Sequence, residues 1–224
     1  MSQSHHQFTD TREQNKIKEI VFNTHHQITK QERYNEMKTK KIIFLGGGYV
    51  GKRSIATWFG THHFPCEWDP FCYWDPLSTY IEIDGTNYRM EINVVNPNDK
   101  DAAWRETLIR SGDGFVIVYS ITSTTSFLET VGFRQDIYRV LNKDDLDHIP
   151  ILLVGNKCDL ESERQVSKED AERLCNIWGI EHIECSVKDN INITELFIKI
   201  MRDILETCLS LSKSHLFPTK RIGI

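Results

Sequence analysis

The chain has 224 residues, which is enough for one domain with appended segments or for two small domains, and its 39% apolar content is ordinary for a protein with a buried core. The formal net charge is −5, and we expect no nucleic-acid partner. No run of eighteen or more apolar residues occurs and the N-terminus lacks an apolar signal segment, so we expect a cytoplasmic protein that neither spans a membrane nor follows that secretory route.

Residues 1–40 are polar and rich in Gln, Lys, Glu and His, with seven basic and five acidic side chains against a net charge of −7 in the remainder. A small apolar cluster over 17–22 favours one short amphipathic helix at most and cannot form a core. We predict a largely disordered N-terminal extension.

The six cysteines show no regular metal-type spacing, which predicts reduced thiols and no metal site: Cys66, Cys72, Cys158, Cys175, Cys185 and Cys208.

From Lys41 onward, apolar strands alternate with helical segments, which predicts an α/β fold with a six-stranded, mostly parallel sheet and helices on both faces. The predicted strands cover 41–46, 80–84, 88–95, 114–120, 149–155 and 182–185, and the predicted helices 52–60, 125–141, 167–178 and 193–211. Asp84 and Gly85 are typical of a hairpin turn, so the second and third strands should be antiparallel. Ser167 and Asp170 have capping-box spacing at the start of the third helix.

A glycine-rich segment follows the first predicted strand and comprises Gly46, Gly47, Gly48, Tyr49, Val50, Gly51, Lys52, Arg53 and Ser54. Glycines let backbone N–H groups turn toward phosphate oxygens, and the N-terminus of the following helix favours an anion. Lys52 is placed to reach the terminal phosphates. The pattern predicts a phosphate-binding loop, although a tight strand-to-helix turn can have the same composition.

A second motif follows the apolar run 149–155 and contains Asn156, Lys157 and Asp159. The Asp159 carboxylate can accept two hydrogen bonds from N1 and the exocyclic amine of guanine, an edge that adenine does not present. The predicted ligand is therefore a guanine nucleotide, and this motif favours the phosphate-loop interpretation of the first one.

A third motif, Ser186, Val187 and Lys188, follows the last predicted strand. Its small residues can pass close to a base and Lys188 can lie along it. Taken alone, the segment is typical of a routine strand-to-loop turn. In its place after the other two motifs, we interpret it as completing a base pocket.

The three motifs in this order resemble those of the Ras-like small GTPases, over about residues 41 to 207, and the segments 112–122 and 154–160 are most similar to the Ras and Rap branch. The resemblance implies a P-loop NTPase fold, GTP and GDP as ligands, and effector or regulatory proteins as partners. It also implies that Phe64 is the aromatic residue that packs edge-on near the guanine.

The chain departs from the family pattern at the magnesium site. Family members hold magnesium with a Ser or Thr directly after the loop lysine, where this chain has Arg53, and a guanidinium group cannot ligate a metal. Ser54 comes one residue later and is expected to point elsewhere on the helix. We predict no standard magnesium site, which leaves the binding of magnesium open.

The segment that resembles the first switch and effector loop contains Trp68, Asp69, Pro70 and Phe71. The family threonine that senses magnesium and the third phosphate is replaced by Phe71, or by Cys72 if a one-residue insertion lies earlier. The aromatic residues here either cover the sheet edge and the nucleotide or form a partner surface.

The family motif Asp-x-x-Gly is replaced after the third predicted strand by Asn96, Pro97, Asn98 and Asp99, and the stretch 96–110 contains no glutamine. The resemblance thus implies loss of the carboxylate that holds metal-bound water and of the glutamine that orients the attacking water. We predict impaired hydrolysis, and the catalytic residues are unknown; Asp99 or Asp101 acting on water is the alternative.

The last residues, 212–224, carry Lys213, Lys220 and Arg221 without an acidic residue, and no prenylation cysteine stands four from the end. Three charges predict at most weak, peripheral contact with the inner face of a membrane.

These observations predict three parts: an extension over 1–40, a Ras-like G domain over 41–211 and a basic tail over 212–224. The leading hypothesis is a monomeric, guanine-nucleotide-binding signalling protein with slow or absent hydrolysis, which binds partners through loops at 64–80 and 96–110. Two alternatives stay open. One is a working GTPase switch with substitute magnesium and water ligands, and the other is a scaffold with the GTPase fold that binds no nucleotide.

Overall fold

The computed structural model describes residues 38–61, 76–96 and 102–216, with side chains up to Ser210. Six strands form one sheet in the order β2-β3-β1-β4-β5-β6: β1 (Thr39–Gly46), β2 (Leu77–Ile83), β3 (Thr86–Val94), β4 (Gly114–Ser120), β5 (Ile151–Asn156) and β6 (Glu181–Cys185). Only the β2–β3 pair is antiparallel in this sheet, and all other neighbours are parallel. The predicted six-stranded, mostly parallel α/β fold is confirmed.

The β2–β3 hairpin turns at the predicted dipeptide. Asp84 and Gly85 both have positive φ, 50° and 77°, and Ile83 pairs with Thr86 across the turn. Two consecutive residues with positive φ match the right-handed twist of the flanking strands, which is why Asp-Gly is favoured there. The predicted antiparallel pair is confirmed.

In the described part of the chain, five helices cover the two faces of the sheet: α1 (Lys52–Thr61), α2 (Ala102–Ser111), α3 (Thr124–Leu141), α4 (Lys168–Trp178) and α5 (Ile193–Leu216), with a 3-10 turn at Glu161–Glu163. Alternate strand residues point to opposite faces. Accordingly, Ile42 and Phe44 pack with α1 and α5, whereas Ile43 and Leu45 pack with α2, α3 and α4.

Two of the predicted loops are shorter than expected. The predicted loop over 96–110 is wrong for residues 102–110, which belong to α2, because Leu108 and the fully buried Ile109 pack against the sheet. The loop predicted over 64–80 is wrong for its last four residues, because β2 starts at Leu77, opposite Ile92. The structure also extends the last helix to Leu216 instead of 211. Within the described ranges, no helix has the length and apolarity needed to cross a membrane.

The first turns of α3 and α4 are capped by serines. Ser167 accepts a hydrogen bond from the amide of Asp170 (3.1 Å), as its spacing predicted, and α4 begins at the next residue. Ser123 caps α3 by accepting from the amide of Ser126 (3.2 Å). Such caps satisfy amides that the helix itself leaves free, and they fix the direction in which each helix leaves the sheet.

Candidate functional site

The three sequence motifs lie at one edge of the sheet. They follow β1, β5 and β6, which run parallel to one another, so their carboxyl ends meet at the same edge. Open α/β sheets bind ligands outside this edge. We call the segment from Gly46 to Lys52 the phosphate loop, and we call Asn156, Asp159, Cys185 and Ser186 the base corner.

Close contacts fix glycine at two positions of the phosphate loop. Gly46 has φ 144° and a Cβ there would overlap the carbonyl of Val118, while Gly51 has φ 93° and a Cβ would overlap the Asn156 amide. Tyr49 also has positive φ (60°), although it is a bulky residue, and its side chain is 96% exposed. A non-glycine residue in this region carries backbone strain, which is characteristic of functional loops.

Lys52, the first residue of α1, turns its side chain back into the phosphate loop. It is only 6% exposed, and its Nζ donates to the carbonyl oxygens of Gly46 (2.8 Å) and Gly47 (2.7 Å). Burial lowers the pKa of Lys52 to about 8, and the negative charge of Glu129 opposes that change. The loop therefore holds a buried ammonium group with few charges to balance it, and an anionic ligand such as a phosphate would supply them.

Asn156 joins the base corner to the phosphate loop. Its Nδ2 donates to the carbonyl of Val50 (2.8 Å), and its Oδ1 accepts from the thiol of Cys185 (3.5 Å). The side chain is 3% exposed, so both polar ends have partners in a buried setting. Burial also raises the pKa of the Cys185 thiol, which keeps it protonated and able to donate.

Ser186 orients the carboxylate proposed to read the base. Its hydroxyl donates to Asp159 Oδ1 (2.7 Å) and accepts from the amide of Asp189 (3.1 Å). The second motif is tied to the third through the backbone as well, because the Cys158 amide donates to the Cys185 carbonyl (3.1 Å). The bond to Asp159 Oδ1 reduces the freedom of this carboxylate, which is an advantage for a group that must meet two donors at once.

The other residues of the predicted base pocket flank this arrangement. Lys157 has φ 67° and begins the turn that carries Asp159, and Leu160 closes that turn by donating to the Lys157 carbonyl (2.9 Å). Val187 is buried, at 5% exposure, while Lys188 is exposed. Lys188 is thus accessible for contact with a ligand.

The two described positions where the family pattern holds magnesium carry other groups. Arg53 lies in the first turn of α1 and offers only N–H donors. Asn96 follows β3, where the Val95 amide is held by the Phe44 carbonyl (2.9 Å), and it presents an amide where the family has a carboxylate. Magnesium prefers hard, anionic oxygen ligands, so this pair of positions does not fit the family's mode of holding it.

Part of the predicted site lies outside the described residues. This applies to the aromatic residue expected near guanine and to most of the predicted partner segments, namely Phe64, Trp68, Asp69, Pro70, Phe71, Pro97, Asn98 and Asp99. Their roles stay predictions.

One neighbour of the phosphate loop was missed in the sequence. Glu129 on α3 brings its carboxylate against Gly47, where a Cβ would overlap Glu129 Oε2. The two residues are 82 positions apart and Glu129 belongs to no motif, so no spacing in the sequence indicated the contact.

Comparison with known proteins agrees with this geometry. The model of the Ras family matches residues 41–206. The chain belongs to the Ras family. Ras-related protein O-RAL of Diplobatis ommata is 36% identical over 184 residues, which are 82% of this chain and 88% of that protein. As a Ras-family member, the chain is a small GTPase-like, nucleotide-binding signalling protein, and GTP and GDP are the nucleotides that Ras-like GTPases bind.

Proposed function

We propose that this Ras-family protein binds GDP and GTP selectively, hydrolyses GTP slowly or not at all, and acts by binding partner proteins. The observation that carries the proposal is the hydrogen bond from Asn156 Nδ2 to the Val50 carbonyl, which couples the base corner to the phosphate loop. A site with both ends intact can hold a nucleotide even where its catalytic groups are altered.

Guanine selectivity rests on Asp159 in this proposal. Its carboxylate accepts from N1 and from the exocyclic amine, while Ser186 holds one of its oxygens in place. The phosphates occupy the phosphate loop and the first turn of α1 up to Ser54, where amides, the start of α1 and Lys52 favour negative charge.

Slow hydrolysis follows from the chemistry of the substituted positions. Arg53 and Asn96 replace a hydroxyl and a carboxylate of the family, and the segment 96–110 contains no glutamine to orient water. Each loss removes a group that acts on the attacking water, the metal or the third phosphate. The nucleotide-binding groups are located elsewhere, so binding can persist without hydrolysis.

Partner binding is assigned to two segments that follow the phosphate loop in the chain. These are residues 64–76, up to the start of β2, and residues 96–101 together with α2. The aromatic residues of the first segment suit a protein interface, where aromatic side chains are enriched.

We further propose that the protein works as a monomer in the cytoplasm. The basic side chains of its C-terminal segment, Lys213, Lys220 and Arg221, give at most weak attraction to an anionic inner membrane face.

The proposal is tested by titrating fluorescent GDP, GTP and ATP analogues against the full chain, with magnesium and with a chelator. Single-turnover hydrolysis of GTP is then followed at saturating protein. We expect binding of GDP and GTP but not of ATP, and a hydrolysis rate of roughly 10⁻⁴ per second or below.

The two alternatives give different results. A rate of order 10⁻² per second or more without a partner identifies a working GTPase switch with catalytic groups outside the family pattern. Absence of binding to any guanine nucleotide identifies a scaffold that retains only the fold.

A further inference from the structure

A carboxylate lies against the phosphate loop without belonging to any of its motifs. Glu129 is exposed, yet its Oε2 occupies the space that a Cβ on Gly47 would need. Gly47 does not have positive φ, so backbone conformation does not demand glycine here, and a side chain at this position would have to displace the Glu129 carboxylate.

The first turn of α3 sets which face of the helix, and with it Glu129, lies beside the phosphate loop. Ser126 Oγ accepts from the Ser120 amide at the end of β4 (3.0 Å) and donates to the Ser123 carbonyl (2.8 Å). A Cβ on Gly47 would also lie 3.8 Å from the Ser126 Cβ. Ser126 and Glu129 are three residues apart on the helix, so both face the phosphate loop.

Glu129 also acts on the charge inside the loop. Among the described residues, it is the one whose charge raises the pKa of the buried Lys52. In the nucleotide-free loop, this carboxylate therefore offsets the ammonium charge. Phosphates entering the same loop take over that role and are repelled by the carboxylate, because like charges in a partly buried site interact over several ångströms.

We propose that Glu129 is a positioning residue that sets nucleotide release: its carboxylate, which lies against Gly47, stabilises the empty phosphate loop relative to the occupied one. The inference rests on the proposed nucleotide binding and adds a means of switching to it. In a protein with slow hydrolysis, exchange of the nucleotide replaces its cleavage as the step that resets the bound state.

The test compares GDP affinity and release rate in the full chain carrying Glu129→Gln, Glu129→Asp or Asp136→Asn. Asp136 lies on the same helix two turns away, about 10 Å further along, so its substitution is a matched control for loss of one acidic charge. We expect Glu129→Gln to tighten GDP binding and slow its release three- to tenfold, with Asp136→Asn within twofold of wild type. Glu129→Asp keeps the charge and should stay closer to wild type than to Glu129→Gln.

Two further measurements separate a charge effect from a packing effect. The difference between wild type and Glu129→Gln should shrink as salt is raised from about 0.05 to about 1 M, because salt screens exposed charges. In a Gly47→Ala background, where the new methyl group displaces the carboxylate, Glu129→Gln should change GDP affinity less than it does in wild type.

Equal GDP affinity of wild type and Glu129→Gln overturns the inference and leaves the proposed function standing. A change that is insensitive to salt, or that Glu129→Asp reproduces in full, also overturns it, since packing alone explains such a result. Failure of the wild type to bind GDP at all overturns the proposed function, and with it this inference.

Discussion

The base corner and the phosphate end of the site differ in how they depart from the family pattern. In the base corner, Asn156, Asp159 and Ser186 keep the family side chains. Ser186 donates a hydrogen bond to Asp159, and Asn156 accepts one from Cys185 and donates one to the Val50 carbonyl. At the phosphate end, Arg53 and Asn96 stand where the family pattern has a hydroxyl and a carboxylate. In the proposed function, nucleotide binding and hydrolysis depend on these separate elements of the fold, so one is altered while the other is kept.

The largest effect should come from the base corner. We expect Asp159→Asn to weaken GDP binding by about 3–4 kcal/mol and to relax selectivity toward xanthine nucleotides, because two base donors lose their acceptor. Competition between labelled GDP and unlabelled GDP or XDP measures both changes. The control is Asp203→Asn on α5, which removes an acid that pairs with His148. Unchanged guanine affinity in Asp159→Asn would remove Asp159 from the base pocket.

The buried charge of the phosphate end gives the next effect. The pKa of Lys52 is lowered to about 8 from 10.5, so the unfolded chain binds a proton that the folded, nucleotide-free protein has released between these values. The contribution of Lys52 to the free energy of unfolding is therefore fully present above pH 10.5. It falls by about 3 kcal/mol as the pH decreases to 8, because the unfolded chain then takes up a proton that the buried group does not.

Urea unfolding of the nucleotide-free wild type and of Lys52→Met from about pH 8 to about pH 10 measures this dependence as the difference between the two proteins, because the buried thiols of Cys175 and Cys185, whose pKa values are raised, add their own pH dependence in the same range to both. Lys143→Met, which removes an exposed lysine paired with Asp147, serves as the control. A wild-type dependence equal to that of Lys52→Met would mean that Lys52 keeps its ordinary pKa despite its burial.

A smaller change tests how firmly Asp159 must be held. Ser186→Ala removes the hydroxyl that donates to Asp159 and accepts from the Asp189 amide. We expect a loss of about 1–2 kcal/mol in GDP affinity, since a buried hydrogen bond and a preorganised carboxylate are lost while the base contacts remain. Ser186→Thr keeps the hydroxyl and should recover part of the loss. If Ser186→Ala binds GDP as well as the wild type does, Asp159 needs no support from its neighbour.

The smallest effect is expected at the magnesium positions. If Arg53 supplies part of the charge that magnesium provides elsewhere, chelation of magnesium should change GDP affinity less than tenfold, about 1.4 kcal/mol. Arg53→Ala should then weaken binding, and Arg53→Ser should restore magnesium dependence only partly, because Asn96 still offers no carboxylate. Four titrations, of wild type and of Arg53→Ala, each with magnesium and with chelator, measure the magnesium dependence and the contribution of Arg53. Strong magnesium dependence of the wild type would return the working-switch alternative to first place.

The predictable parts of the fold are those that local patterns specify. Asp84 and Gly85 predicted the hairpin because their turn has a distinct backbone requirement, and Ser167 predicted the start of α4 because a capping hydroxyl acts three residues away. α2 was missed because the segment was interpreted through family motifs, although Trp104, Leu108 and Ile109 already recur at near-helical spacing.

The contacts within the site were less predictable because they join distant parts of the chain. The motifs indicated that Asn156 and Val50 share one ligand, but not that they bond directly across 106 positions. Glu129 gave no signal, since its place beside Gly47 depends on how α3 packs over the end of β4. Local sequence specifies elements and their ends, whereas packing between elements decides which side chains meet.

The buried thiol of Cys185 provides a natural reporter for the base corner. A protonated, fully buried sulfur reacts with alkylating reagents only when the surrounding structure opens, so its rate of labelling measures local unfolding at this point. A bound guanine nucleotide should protect Cys185 from alkylation, and the extent of protection gives the stabilisation of the corner without any dye or substitution.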